Sequence, residues 1–294
     1  MSILENERVL VTGGSGFLGS FVVKEIKKRS PSDVVVPRSS EYDLRKMGDV
    51  DRLMESSRPS VVIHLAGRVG GIGETNAKPA EFFFDNACMA LNVIDASYRQ
   101  GVKKFVGIGS VCAYPKFAPI PFKEEDLWTG YPEETNAPYG LAKKVMLVQT
   151  QAYAKQYGFK GIHLIPVNLY GPGDNFDLQS SHVIPGMIKK FIDAKEARLE
   201  SVILWGDGSP TREFLYVEDC ARGIVLAAEK YSGTEPVNLG SGMEISIMEL
   251  AKKIKQLTGF GGEIAWDKTK PNGQPKRRFD SSKAEKLFGF KASV

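Results

Sequence analysis

Residues 8–19 read RVLVTGGSGFLG: a short apolar run, a turn with glycines at 13, 16 and 19, and the opening of an apolar-periodic segment. A strand that ends in glycines and feeds directly into a helix constrains this chain more than any other feature. It fixes a βα unit at the start and leaves backbone amides at the helix N-terminus free to meet an anion. Gly13 permits the tight turn, Gly16 lets amides approach a pyrophosphate, and Gly19 lets helix and strand pack closely. A plain βα turn would use the same residues, so the dinucleotide reading rests on the order strand, turn, helix, strand.

That order continues. Phe17, Phe21 and Ile26 recur at helical spacing until Ser30, Pro31 and Ser32 stop the pattern. Residues 34–36 read as a strand, 46–56 as a polar helix and 60–65 as a strand. A long helix over 83–100, a strand over 104–109, a helix over 139–157 and a strand over 161–166 follow. Alternating strands and helices demand parallel pairing through crossover helices. The expected class is α/β: a doubly wound parallel (Rossmann) sheet with a second, smaller α/β substrate domain. After residue 170 the pattern turns glycine- and proline-rich. A helix over 183–194, a strand over 202–205 and a strand–helix pair over 213–230 then appear. We therefore expect a nucleotide domain over 1–170 with a returning segment near 213–240, and a substrate domain from 171–212 and 241–294.

Composition narrows the function classes. With 294 residues, 42% hydrophobic and 25% charged, the chain can bury a sizeable core. A net charge of +4 without a dense basic face argues against nucleic acid. No apolar stretch approaches the ~20 residues of a membrane span. The N-terminal residues Met1–Asn6 lack a basic region followed by an apolar run, so no secretory signal is expected. Cys88, Cys112 and Cys220 have no metal-type spacing and cannot all pair, which suits a reducing, cytoplasmic compartment and no metal.

At the end of the second strand, where an acid would bind ribose hydroxyls, the sequence reads Pro37-Arg38-Ser39-Ser40. Arg38 is suited to a 2′-phosphate, pointing to NADP(H); a solvated surface arginine is the plain alternative, and Glu41 lies close by. Tyr139 and Lys143, four apart on a helix, share one face. Ser110 directly follows the strand over 104–109. A tyrosine, with its ordinary pKa of about 10, needs a neighbouring ammonium and a cationic nicotinamide to lower it enough to serve as an acid/base near neutrality. That need makes the Ser110/Tyr139/Lys143 set specific where a lone YxxxK is not.

With these residues in view, the chain resembles the extended short-chain dehydrogenase/reductases and, within them, the GDP-L-fucose synthase family. The marks are HLAGRVGGI (64–72), GSVCAYPK (109–116), PYGLAK (138–143), NLYGPGDNFD (168–177), SHVIP (181–185), WGDGSPTREF (205–214) and PNGQP (271–275). The resemblance implies an NADPH-dependent 3,5-epimerase/4-reductase acting on a GDP-linked 4-keto-6-deoxy sugar. Ser110, Tyr139 and Lys143 would form the reductase triad, and Cys112 and His182 the epimerising acid/base pair. Gly13, Ser15, Gly16, Phe17, Leu18, Gly19, Arg38, Ala66, Tyr139, Lys143, Pro166, Asn168, Leu169 and His182 would contact NADP(H). Lys190, Trp205, Arg212 and Arg277 would contact the nucleotide diphosphate. Where this chain has Lys190 the family often has arginine, so a bidentate clamp is lost. The helices over 83–100 and 139–157 would form a homodimer interface. Members usually continue into another helix beyond the point where this sequence stops, at Val294.

The chemistry fits these residue types. Hydrogens on carbons 3 and 5 of a 4-keto sugar are acidic. Inversion needs one group to remove a proton and another to return it from the opposite face. Cys112, two residues past Ser110 on what we expect to be an extended segment, would share its pocket. Alone, Cys112 would read as a small buried hydrophobe and His182 as a helix cap. His64, His163, Cys88 and Cys220 read as structural. Two rivals remain: a 4-epimerase or dehydratase on the same fold, which would not require Cys112 and His182, and a dinucleotide sensor without turnover.

Overall fold

The computed structural model describes residues 2–178, 180–270 and 272–294. Pro271, the first residue of the PNGQP stretch, lies outside the described residues. In chain order the first half contains β1 (Arg8–Thr12), α1 (Phe17–Lys27), β2 (Asp33–Val35), α2 (Met47–Ser57), β3 (Val61–His64), α3 (Ile72–Ala77), α4 (Pro79–Arg99), β4 (Lys104–Ile108), α5 (Ala137–Tyr157) and β5 (Gly161–Pro166). The second half contains β6 (Asn168–Tyr170), α6 (Val183–Glu196), β7 (Ser201–Trp205), β8 (Thr211–Tyr216), α7 (Val217–Lys230), β9 (Val237–Leu239), β10 (Glu244–Ser246), α8 (Ile247–Thr258), β11 (Glu263–Asp267), β12 (Lys276–Arg277) and α9 (Ser282–Phe288).

The class is the expected one. Six parallel strands form a sheet in the order β2-β1-β3-β4-β5-β9. The strands are apolar along their length because both faces of the sheet are covered. Alternate side chains feed different cores. Val9, Val11, Ile63 and Val106 join a cluster with Val22 and Ile26 of α1 and Ile224 of α7. Leu10, Val62 and Phe105 join the opposite cluster, with Leu53 of α2, Val93 of α4 and Met146 of α5.

The smaller unit is built on a second sheet. Its central strand β8 pairs antiparallel with β10 and parallel with both β12 and β6. β7 and β11 make a separate parallel pair. Phe191 of α6, Leu204, Phe214 and Ile254 of α8 fill the core between them. β6 falls at the end of the expected nucleotide domain and β8 at the start of its expected returning segment, yet the two pair with each other here. α7 and β9 then return to the large layer. The long helix begins at Pro79, earlier than its apolar spacing indicates, because proline is preorganised for a first helical turn. The short α3 before it carries no long periodic pattern to reveal it.

Candidate active site

The carboxyl ends of β1, β3, β4 and β5 open on a cleft of ≈ 1050 Å³ that runs to the small sheet. Open parallel sheets bind ligands at this edge. Every residue singled out above for catalysis, cofactor or substrate lines it, from Gly13 and Arg38 at one end to Trp205 and Arg277 at the other.

The β1–α1 turn fits a dinucleotide pyrophosphate. Gly13 has φ +72°, and a Cβ there would lie 2.7 Å from the Ala66 amide nitrogen. Only glycine permits that approach. Gly16 caps α1 without a side-chain hydrogen bond, leaving first-turn amides to meet an anion. Along the adjoining wall, Arg45 is tied to Asp43 and Asp85, at 2.9 and 3.1 Å. Arg38 is exposed and lines the cleft beside Pro37 and Ser39, whereas Glu41 is exposed but does not line it.

At the centre, the end of β4 departs from expectation. Residues 111–113 are not extended; they form a 3-10 turn whose start is capped by Ser110 Oγ, which accepts from the Cys112 amide at 3.2 Å. The turn still brings the Ser110 and Cys112 side chains to one cleft. α5 presses against it so closely that a Cβ on Gly140 would lie 2.2 Å from the Cys112 carbonyl oxygen. That contact sets Tyr139 beside Ser110. Lys143 Nζ sits 5.7 Å from the Tyr139 ring centroid and donates to the Ile108 carbonyl at 3.1 Å.

Burial dominates the electrostatics of the protein's own groups here. The Tyr139 phenol is pushed well above its ordinary value, first by burial and then by Cys112; its hydrogen bond with Ser110 only partly offsets this. Burial also lowers Lys143 to about 8. Desolvation penalises the charged form of each group, so it raises the phenol and lowers the ammonium. Tyr139 is therefore a neutral phenol near pH 7, a proton donor rather than an acceptor. His64 and His163 are buried and lowered to about 3 by desolvation and then by Lys143, so both are neutral. His64 Nδ1 is 2.7 Å from Thr12 Oγ1.

His182 occupies the N-cap position of α6, but its side chain makes no capping bond. It is half-exposed in the cleft, with Nδ1 3.8 Å from Oδ1 of buried Asp174. Asn168 donates to the Glu213 carbonyl at 3.0 Å, joining β6 to β8 beneath the site.

At the far end the cations are poorly neutralised. Arg212 is lowered to about 9 by burial and then by Arg277. It donates to the Thr211 carbonyl at 2.8 Å. Lys190 Nζ reaches the Ile203 carbonyl at 3.2 Å and is lowered by burial. Trp205 is 47% exposed and offers a ring face, with Lys270 Nζ 5.6 Å from its centroid. Such a set suits a nucleotide diphosphate: cations for phosphate, an aromatic face for a ring. Sequence reasoning missed Asp174 and Gln274 as individual residues, although both stand in quoted motifs.

The model of the NAD dependent epimerase/dehydratase family matches residues 9–240. The chain belongs to the NAD-dependent epimerase/dehydratase family. Within that epimerase/dehydratase family it is 42% identical to GDP-L-fucose synthase 1 of Arabidopsis thaliana, over 96% of this chain and 88% of that protein. The structure superimposes on a GDP-L-fucose synthetase from Naegleria fowleri bound to NADP with a TM-score of 0.89, at 31% identity, covering 100% and 92% of the two chains. It also matches a GDP-6-OMe-4-keto-L-xylo-heptose reductase from C. jejuni, with a TM-score of 0.93, 28% identity and coverage of 100% and 95%. The resemblance read from the motifs thus extends along nearly the whole chain. A nicotinamide dinucleotide is the cofactor type of this epimerase/dehydratase family. Among the described residues, no helix is long and apolar enough to cross a membrane, and no group of three or more His, Cys, Asp or Glu residues is placed to hold a metal.

Proposed function

We propose that this protein is an NADPH-dependent 3,5-epimerase/4-reductase that converts GDP-4-keto-6-deoxy-D-mannose to GDP-L-fucose. The observation that carries the reading is the meeting of two residue sets, Cys112 with His182 and Tyr139 with Lys143, in one cleft. Gly13, Gly16 and the amides that follow would hold the pyrophosphate of the cofactor. Ser15, Phe17, Leu18, Gly19, Ala66, Pro166 and Leu169 would line its path. Arg38, exposed beside Ser39 in the cleft wall, favours the 2′-phosphate of NADP. Lys190, Trp205, Arg212 and Arg277 would hold the GDP end of the substrate.

Ser110 and Tyr139 donate hydrogen bonds to the oxygen on carbon 4, stabilising the negative charge that develops there when a neighbouring carbon loses its proton. Cys112 takes the proton, and His182 returns one to the other face. When bound, the reduced nicotinamide supplies a hydride to carbon 4. Tyr139, kept neutral by burial, gives its proton to the same oxygen, while Lys143 steadies the resulting charge.

A 4-reductase without epimerisation is the second reading, favoured by the likeness to the C. jejuni heptose reductase. NMR and mass spectrometry of the product from GDP-4-keto-6-deoxymannose and NADPH separate the two. GDP-L-fucose supports the proposal, and an unepimerised 4-hydroxy sugar contradicts it. We place the enzyme in the cytoplasm, where a reduced Cys112 persists. We also assign it a homodimer through α4 and α5, because Phe84, Leu91 and Val148 are exposed on these two packed helices at 60%, 41% and 49%.

A further inference from the structure

We propose that Arg277 is a positioning residue for Cys112, holding its sulfur as a hydrogen-bond acceptor so that it serves as a thiolate base. This rests on the epimerase reading above and gives Arg277 a task beyond the nucleotide diphosphate.

β12 explains why Arg277 alone faces the cysteine. On either side of it, Lys276 and Arg278 both reach Glu244. Strand alternation turns Arg277 to the opposite face, where it is 7% exposed. Its Nη1 lies 3.6 Å from Cys112 Sγ. Its Nε donates to Gln274 Oε1 at 2.9 Å. Gln274, itself buried, donates from Nε2 to the carbonyls of Pro115 and Lys116 at 3.2 and 2.9 Å. Those carbonyls belong to the same segment that carries Cys112. The contacts therefore close a ring from Cys112 through Arg277 and Gln274 back to residues 115 and 116, which fixes the guanidinium relative to the sulfur.

The chemistry follows from the ring. A thiol must lose its proton before it can act as a base. A guanidinium donating to sulfur favours the charged form, and the bond strengthens as that charge appears. Arg212 stands opposite Arg277 in the β8–β12 register and adds a second cation. From α5, Tyr139 lines the same cleft as a neutral phenol. Arg277 reaches the sulfur directly and is held in place by Gln274.

The test uses the full-length, cofactor-free protein and iodoacetamide at neutral pH, with mass spectrometry of the Cys112 peptide and half-buried Cys88 as an internal reference. Wild-type Cys112 is expected to alkylate about tenfold faster than in Arg277→Met. Arg277→Lys, which keeps the charge but loses the Gln274 anchor, should fall between them. Gln274→Ala should slow alkylation by a few-fold with Arg277 intact, and thiolate ultraviolet absorbance should fall in parallel. Unchanged Cys112 reactivity and absorbance in Arg277→Met and Gln274→Ala would overturn the proposal. No substrate is needed, so this failure is distinct from failure of the epimerase reading, which shows as absent deuterium uptake by substrate in the wild type.

Discussion

His182 Nδ1 lies 3.8 Å from Oδ1 of Asp174, and the other oxygen of that buried carboxylate has no hydrogen-bond partner among the described residues. Oδ1 also accepts from the Asn175 amide at 2.7 Å. A carboxylate beside one imidazole nitrogen orients the ring and leaves the other nitrogen for the ligand. Asp174→Asn keeps the size and removes the charge. It should slow deuterium incorporation at the epimerised carbons by about 10–100-fold, part of the 10²–10⁴ that a general acid supplies. NADPH binding, measured by fluorescence titration, should hold. Deuterium uptake at the wild-type rate would show that Asp174 only shapes its loop.

Lys143, placed in the proposed reductase set, also bears on stability with a definite sign. Its pKa falls from 10.5 to about 8 on folding, so between these values the unfolded chain binds more protons and this group's contribution to stability rises with pH. Below the folded value the penalty is fully present, on the order of 3 kcal/mol. That exceeds the ~1 kcal/mol of the hydrogen bond to Ile108 that a Lys143→Met variant loses. The cofactor-free variant should therefore melt higher than wild type at pH 7, with the gap shrinking from pH 8 towards 10.5, while reduction collapses. A lower Tm at pH 7 would contradict this account of the buried ammonium.

Arg38 should set cofactor choice. Arg38→Ala should weaken NADPH roughly tenfold or more, from the ~1.5–3 kcal/mol of a charge-assisted hydrogen bond, and leave NADH unaffected. Titration of each cofactor checks it, and a wild type that prefers NADH would refute the reading.

Phe84, Leu91 and Tyr98 recur every seven residues along α4, a spacing that keeps all three on one exposed side. Wild-type protein should scatter light as a dimer at micromolar concentration, and Leu91→Glu as a monomer. A monomeric wild type would remove the dimer.

The nucleotide half of the fold was legible because its signals are local. An apolar strand, glycines and a helix stand within twelve residues, and β5 spans the same six residues that the apolar run marks. α3 escaped notice because six residues give no periodicity to read. The 3-10 turn at Cys112 escaped because a single hydroxyl cap decides it. Gln274 was illegible for a different reason: its bond to Pro115 spans 159 residues, and no spacing rule announces a contact that only the folded small sheet creates. The upward push of burial on Tyr139 was not legible because sequence shows a neighbouring lysine but not the desolvation of the phenol.

The central claim is that Cys112 and His182 move protons at carbons 3 and 5 while Tyr139 and Lys143 serve carbon 4. It is tested most directly by following NADPH oxidation and solvent deuterium uptake separately in Cys112→Ser and Tyr139→Phe. Cys112→Ser keeps the shape and replaces a thiol of ordinary pKa about 8.5 by a far weaker acid. It should abolish deuterium uptake, and any residual reduction should give an unepimerised 4-hydroxy sugar. Tyr139→Phe should cut NADPH oxidation by about 10²–10⁴-fold while exchange survives in part through Ser110. Wild-type rates of both processes in Cys112→Ser would contradict the account and leave the protein a 4-reductase on this fold.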